Sequence, residues 1–252
     1  MIIKTTAELQ AMQEIGGICA TVLKKMGEAL EPGLTTLELD QLAGALFAAE
    51  GAKSAPIACY DFPGQTCISV NEVVAHGIPS ALVIKSGDIV NIDISAVKNG
   101  FFGDTSASFA VPPIKTATSK LLDCTKQALE QAIGAAVAGY PMNGLGLAVE
   151  KTAHRHGFKT IRNLCGHGVG HTLHDEPECI YNYYEKRDKR MLTPGLVLAI
   201  EPFISERDLY VEDANDDGWT LVTAHRCQVA QFEHTVMVRE DQPPLILTAL
   251  PK

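Results

Sequence analysis

Two aspartates eleven residues apart, Asp93 and Asp104, flank the dipeptide Asn99-Gly100. Asn-Gly between alternating apolar residues is a strong signal for a two-residue hairpin turn. With these residues in the turn, Ser95 falls opposite Asp104 and Asp93 opposite Ser106. The two carboxylates are then diagonal neighbours on one sheet face, about 7–8 Å apart at the backbone. Carboxylates so placed repel each other, and burial makes the repulsion worse. Either the face is a polar, solvated one or a cation sits between the pair. Apolar neighbours on both strands favour the cation.

Three further features carry the same chemistry. Within Cys165–His174 (CGHGVGHTLH) lie three histidines, His167, His171 and His174, and three glycines. Imidazole is the commonest metal ligand and general acid–base group, and the glycines allow close approach of the backbone. The spacing is not that of an H-E-x-x-H zinc helix. Glu201 in LAIEPF and Glu233 in QFEHTV each interrupt an apolar strand pattern. A buried Glu needs a partner or a metal. A salt bridge is the ordinary solution, yet LAIEPF has no basic neighbour in sequence. Together, Asp93, Asp104, His167, Glu201 and Glu233 suit two hard-to-borderline divalent cations at close range. A mononuclear zinc site would use more His or Cys. A close pair of cations held this way is a hydrolytic centre.

These residues must be positioned by helices and strands that the pattern makes legible. Leu9, Met12, Ile15, Ile18, Val22, Met26 and Leu30 form one apolar stripe and predict a helix over 7–30, stopped by Pro32-Gly33. Thr35 or Thr36 can cap a second helix that buries Leu39, Leu42 and Leu46. From about residue 55 strands are expected, at 66–70, 90–95 and 101–111. The order then recurs: a helical period over 117–138 (Leu122, Leu129, Ile133, Val137), a helix-like stretch to Gly157, and strands at 195–204, 219–223 and 229–238. Gly33 to Gly51 spans 18 residues, as does Gly139 to Gly157. An internal duplication is expected, with halves of roughly 1–112 and 113–252 sharing one core in a single domain, 1–252. The class is α+β, an antiparallel sheet covered by helices.

The chain has 252 residues, 30 acidic against 21 basic, and a net charge of −9. Such a balance argues against nucleic acid or anionic lipid as the main partner. No apolar run approaches the ~18 residues of a membrane span. The start MIIKTTAELQ carries no signal-peptide pattern. Seven cysteines (Cys19, Cys59, Cys67, Cys124, Cys165, Cys179, Cys227) occur without a C-x-x-C, as expected of reduced thiols in a cytoplasmic protein.

NEVVAHGIP (71–79), VNIDIS (90–95), GDTS (103–106), CGHGVG (165–170), IEPF (200–203), DGWT (217–220) and QFEHTV (231–236) occur in order along the chain. In these motifs it resembles the type I methionine aminopeptidases over nearly its whole length, without the zinc-binding extension of the longer forms. The resemblance implies the pita-bread fold, two related halves around a dinuclear metal site. It implies that two divalent ions (Co, Mn, Fe, Ni or Zn) are held by Asp93, Asp104, His167, Glu201 and Glu233, with Asp104 and Glu233 bridging. It also implies Glu201 as general base, His174 at the substrate carbonyl and His76 at the scissile nitrogen. The implied substrate is the N-terminus of nascent polypeptides with a small second residue. The ribosome would be a partner, and membrane or sequence-specific nucleic acid would not; the expected state is a monomer.

Some positions depart from the family pattern. His171 is reminiscent of the H-x-x-G-H tract of prolidases and X-Pro aminopeptidases, although His174 keeps its spacing of seven from His167. Cys59 and Leu173 stand where aromatic residues usually line the methionine pocket; Phe62 and Trp219 remain. Two other readings follow: a related pita-bread peptidase of altered specificity, such as X-Pro, and a non-catalytic binding protein of the same fold. The latter usually loses ligands, and here all five are present.

Overall fold

The computed structural model describes residues 1–251. The first half runs α1 (Thr6–Ala29), α2 (Thr36–Ala49), β1 (Lys53–Ser54), α3 (Ala55–Tyr60), β2 (Cys67–Val70), β3 (Val73–Ala75), β4 (Ile89–Lys98) and β5 (Phe101–Ala110). The second half begins with α4 (Thr116–Ala135), α5 (Asn143–Arg155), β6 (Lys159–Thr160), β7 (Cys165–Gly168) and β8 (Asp175–Tyr181). It continues with β9 (Val197–Ile200), β10 (Phe203–Ser205), β11 (Val211–Asp213), β12 (Leu221–Thr223), β13 (Val229–Gln231), β14 (His234–Met237) and β15 (Leu245–Ile246).

Local chemistry explains the starts of α1 and α2. Thr5 accepts from the Glu8 amide while the Glu8 carboxylate accepts from the Thr5 amide, a capping box; Thr35 and Glu38 repeat it at α2. Gly33, Gly51, Gly139 and Gly157, the glycines that mark the repeat, all have positive φ, a conformation that suits glycine at helix ends.

The repeat extends to strand pairing. β4 pairs antiparallel with β1, β2 and β5. The stretch β9–β10 pairs antiparallel with β6 and β7 on one side and β13–β14 on the other. Ala96 faces Ser54 as Ile204 faces Thr160; Ala96 and Ile204 are offset by 108 residues, which carries Asp93 onto Glu201, while Ser54 and Thr160 are offset by 106. The halves differ in one respect. The expected strand 195–204 is two strands, parted at Glu201-Pro202, and 229–238 is parted at Phe232-Glu233. Pro202 has no N–H to give the ladder. The antiparallel strands are hydrogen-bonded in four groups, and the two breaks divide β9 from β10 and β14 from β13. Helix α3 lies where strands were expected to begin. It is too short for a helical period, but Ser54 caps it and a proline sits in its first turn.

The two halves interlock. Met12, Ile15 and Val22 of α1 pack with Ile92 and Ile94 of β4 and also with Val169, Val197 and Ala199 from the second half. Leu121 and Leu129 of α4 and Leu145 of α5 pack with Leu198, Ile200 and Val236, and with Ile89 of β4. Along the seam, the Glu233 amide donates to the Ser106 carbonyl (3.0 Å) and the Thr105 hydroxyl to the Glu233 carbonyl (2.8 Å). The Asp104 amide donates to the Thr235 hydroxyl (3.2 Å).

Candidate active site

The β4–β5 hairpin has the predicted register, Ser95 opposite Asp104 and Asp93 opposite Ser106. Asn99 and Gly100 both take positive φ in the turn. Ile200 faces His234 and Phe203 faces Gln231, so the same register sets Glu201 opposite Glu233 across the strand breaks. The seam then brings all four carboxylates onto one cavity of about 320 Å³, with His167 of β7. Donor atoms of Asp104, His167 and Glu233 lie within 4.8 Å of one another. His167 Nε2 is 3.5 Å from Glu201 Oε1 and 3.7 Å from Asp104 Oδ2.

The electrostatics of this floor are unbalanced. Among the described residues, no Lys or Arg lines the cavity or pairs with these carboxylates. Burial raises the pKa of all four, and mutual repulsion adds to it at Asp104, Glu201 and Glu233. Burial also pulls the His167 pKa down to about 3, so the ring is neutral near pH 7. Its Nδ1 lies 2.8 Å from the Gly168 carbonyl, an acceptor only, so Nδ1 carries the proton. Nε2 is left with a lone pair facing the carboxylates, the arrangement of a metal-ligating histidine. Glu233 Oε1 is buried with no hydrogen-bond partner. Oxygen donors, one lone-pair nitrogen, an orphaned buried oxygen and no protein cation fit divalent metal ions.

His76 and His174 stand on the rim, both solvent-exposed and both lining the cavity. Burial of their polar atoms lowers both pKa values. His76 sits at φ +55, an uncommon conformation for a residue with a side chain. It is held by its neighbour: the Gly77 amide donates to Ser69 Oγ (3.1 Å) and the Gly77 carbonyl accepts from the Ile68 amide (2.9 Å). A Cβ at Gly77 would lie 2.3 Å from the Ile68 carbonyl oxygen. Gly77→Ala should therefore lower stability by about 1–3 kcal/mol, read as a shift in the urea midpoint. It should also reduce activity, because His76 precedes the displaced Gly77 directly.

The apolar wall comes from three places. Phe62 follows α3 and meets Trp219 edge-on, ring centroids 5.1 Å apart. Trp219 is set by Asp217, whose carboxylate accepts from the Trp219 and Thr220 amides (2.8 Å each). Strand β12 lies beside β3, Leu221 opposite Ala75, which brings Trp219 next to His76. Leu173 is buried and also lines the cavity.

Of the residues singled out from sequence, Cys59 is displaced. It is exposed, outside the cavity lining, with its thiol toward the Leu173 backbone. The reason is α3: its helical rotation turns Cys59 outward and brings Tyr60 and Pro56 to the cavity. His171 is also outside. Its Nδ1 is 3.2 Å from the Gly100 carbonyl and its ring lies tilted against Phe101, centroids 4.7 Å apart. Sequence reasoning passed over Gln231. The Gln231 amide donates to Glu201 Oε2 (2.8 Å), and its signal was a polar residue inside the apolar QFEHTV strand.

The model of metallopeptidase family M24 matches residues 10–240. A methionine aminopeptidase of Staphylococcus epidermidis is 48% identical over 249 residues, covering 97% of this chain and 98% of that protein. Methionine aminopeptidase 2 of Bacillus subtilis is 43% identical over 251 residues, covering 99% and 100%. The crystal structure of methionine aminopeptidase from Rickettsia prowazekii has a TM-score of 0.94 at 33% identity, covering 99% of this chain and 100% of that one. With this fold and this donor cluster, the chain belongs to metallopeptidase family M24, among its methionine aminopeptidases.

Proposed function

We propose that this chain hydrolyses the first peptide bond of polypeptides that begin with methionine and carry a small second residue. The observation that carries the reading is the buried floor of Asp93, Asp104, His167, Glu201 and Glu233 beneath His76, His174 and an apolar wall. These five residues would hold two divalent ions, which would supply Lewis-acid polarisation and lower the pKa of water.

The protein's own groups divide the remaining work. The acidic floor draws the substrate's free α-amino group, so the enzyme counts from the N-terminus. Phe62, Leu173 and Trp219 receive the first side chain. Glu201, oriented by Gln231, takes the proton of the attacking water. His174 donates to the carbonyl oxygen as negative charge develops there. His76 meets the scissile nitrogen. The C–N bond breaks as the nitrogen takes up the proton that Glu201 carried, and free methionine leaves. Tyr60 and Phe62 fill the pocket that Cys59 does not reach, so methionine stays preferred over leucine and phenylalanine.

Nascent chains are the substrate this chemistry fits, with the ribosome as the place where they are met and the cytoplasm as compartment. No helix among the described residues is long and apolar enough to cross a membrane. Nothing in the site favours the X-Pro reading, since His171 lies outside the cavity.

The test is kcat/KM with Mn(II)-, Fe(II)- or Co(II)-loaded protein on tripeptides. Met-Gly and Met-Ala starts should be cleaved. Met-Leu, Leu-Gly and Phe-Gly starts should fall at least ~10-fold lower, the discrimination that a pocket gains from bulk. Preferential cleavage of X-Pro peptides would overturn the assignment.

A further inference from the structure

Tyr60 ends α3 and lines the cavity, and its phenol is hydrogen-bonded to His174 Nδ1. Among the described residues it is the one hydrogen-bond partner of that ring. The two rings lie 5.6 Å apart, and the His174 ring packs at 4.2 Å against the His167 ring of the acidic floor. The phenol is fixed from behind. Asp61 takes φ +52 and closes α3, its amide donating to the Ile57 carbonyl. Ser54 caps the other end and ties it to the Gln65 carbonyl (2.8 Å). On the facing loop, the Thr172 hydroxyl donates to the His174 carbonyl (2.9 Å), fixing the backbone and leaving the ring's orientation to Tyr60.

We propose that Tyr60 is a positioning residue, whose phenol holds His174 in the tautomer that presents Nε2–H to the substrate carbonyl. The direction of the bond follows from the groups. A phenol is a strong donor and a weak acceptor, and the lone-pair nitrogen of a neutral imidazole is a strong acceptor. The phenol O–H therefore donates to Nδ1, and the ring proton resides on Nε2. Without the phenol, the ring divides between two tautomers and rotates, and only part of the population offers a donor to the developing oxyanion. The inference rests on the peptidase reading above and adds a residue that the family motifs do not contain.

The test pairs spectroscopy with kinetics on the Zn(II)-loaded holoenzyme, which is diamagnetic. Long-range proton–nitrogen correlation of 15N-histidine-labelled protein, assigned by loss of signals in His174→Ala, should show His174 protonated on Nε2 with Nδ1 as acceptor. Tyr60→Phe keeps the ring and should turn this into a mixture of tautomers. Its kcat on a Met-Ala-Ser peptide should fall roughly 3- to 10-fold, as for one lost hydrogen bond, with KM within about twofold. In a His174→Ala background the same substitution should change kcat by less than about twofold, since the interaction is already gone. An Nδ1–H tautomer in the unaltered protein, or an equal loss in both backgrounds, would overturn the proposal. Failure to cleave Met-Ala-Ser at all would instead remove the peptidase reading, and the tautomer measurement alone would then decide the role of Tyr60.

Discussion

Asp104→Asn is expected to lower hydrolysis of Met-Ala peptides by at least ~10³-fold, the loss of several kcal/mol of charge stabilisation. It is also expected to raise the melting temperature of the metal-free protein. Both effects have one origin. Asp104 sits among carboxylates with no protein cation, and burial, then Asp93, then Glu201 raise its pKa. A carboxyl raised this way favours folding fully below its unfolded pKa of about 4, and the advantage is lost as pH rises through the folded pKa. For Asp93, pushed up to about 7, the loss runs from about pH 4 to 7. Metal-free protein should therefore melt at progressively lower temperature from pH 5 to pH 8, and Asp104→Asn should flatten that slope. Saturating Mn(II) should reverse it, because cations bind the ionised carboxylates of the folded state only. Scanning calorimetry after chelation reads all three effects. A metal-free melting temperature that rises with pH would show that the cluster is not under strain.

His76→Asn should lower kcat by ~10²–10⁴-fold with unchanged metal content, the range for losing one acid–base or charge-stabilising group. Asparagine is chosen because His76 stands at φ +55, which Asn tolerates better than most residues with a side chain. His76→Ala should lose activity similarly but melt lower, because alanine carries the strain without any local hydrogen bond. Kinetics with metal content measured by atomic emission separates the two effects. A normal kcat in His76→Asn would remove this residue from the chemistry.

The floor of the site was legible in sequence because its signals are local. Asn99-Gly100 fixes a hairpin register, and that register places Asp93 and Asp104. A charged residue in LAIEPF or QFEHTV stands out against its neighbours. The apolar wall was less legible. Phe62 and Trp219 were named by motif, but no period in residues 55–60 announces a helix, so the side chains that face inward could not be ranked. Six residues give one and a half turns, and a phase error of one position exchanges Cys59 for Tyr60. The strand breaks were hidden for a related reason. An apolar run reads the same whether or not one residue within it leaves the ladder, and only Pro202 carried a hint. The meeting of β5 with β14 leaves no local trace, since its hydrogen bonds join residues more than a hundred apart.

That seam also orders the events by which the protein forms. Closing a contact between Asp104 and Thr235 spans 131 residues, and such closures come late because chain entropy opposes them until both partners are already structured. The helices and the β4–β5 hairpin depend on near neighbours and can form early. The donor cluster cannot, because Asp93 and Asp104 lie in one half and His167, Glu201 and Glu233 in the other. The Leu247 carbonyl, moreover, must come to rest against Gly16 of α1. During synthesis, the acquisition of activity therefore waits on the last strands to leave the ribosome, and a chain stalled before β14 has helices but no centre.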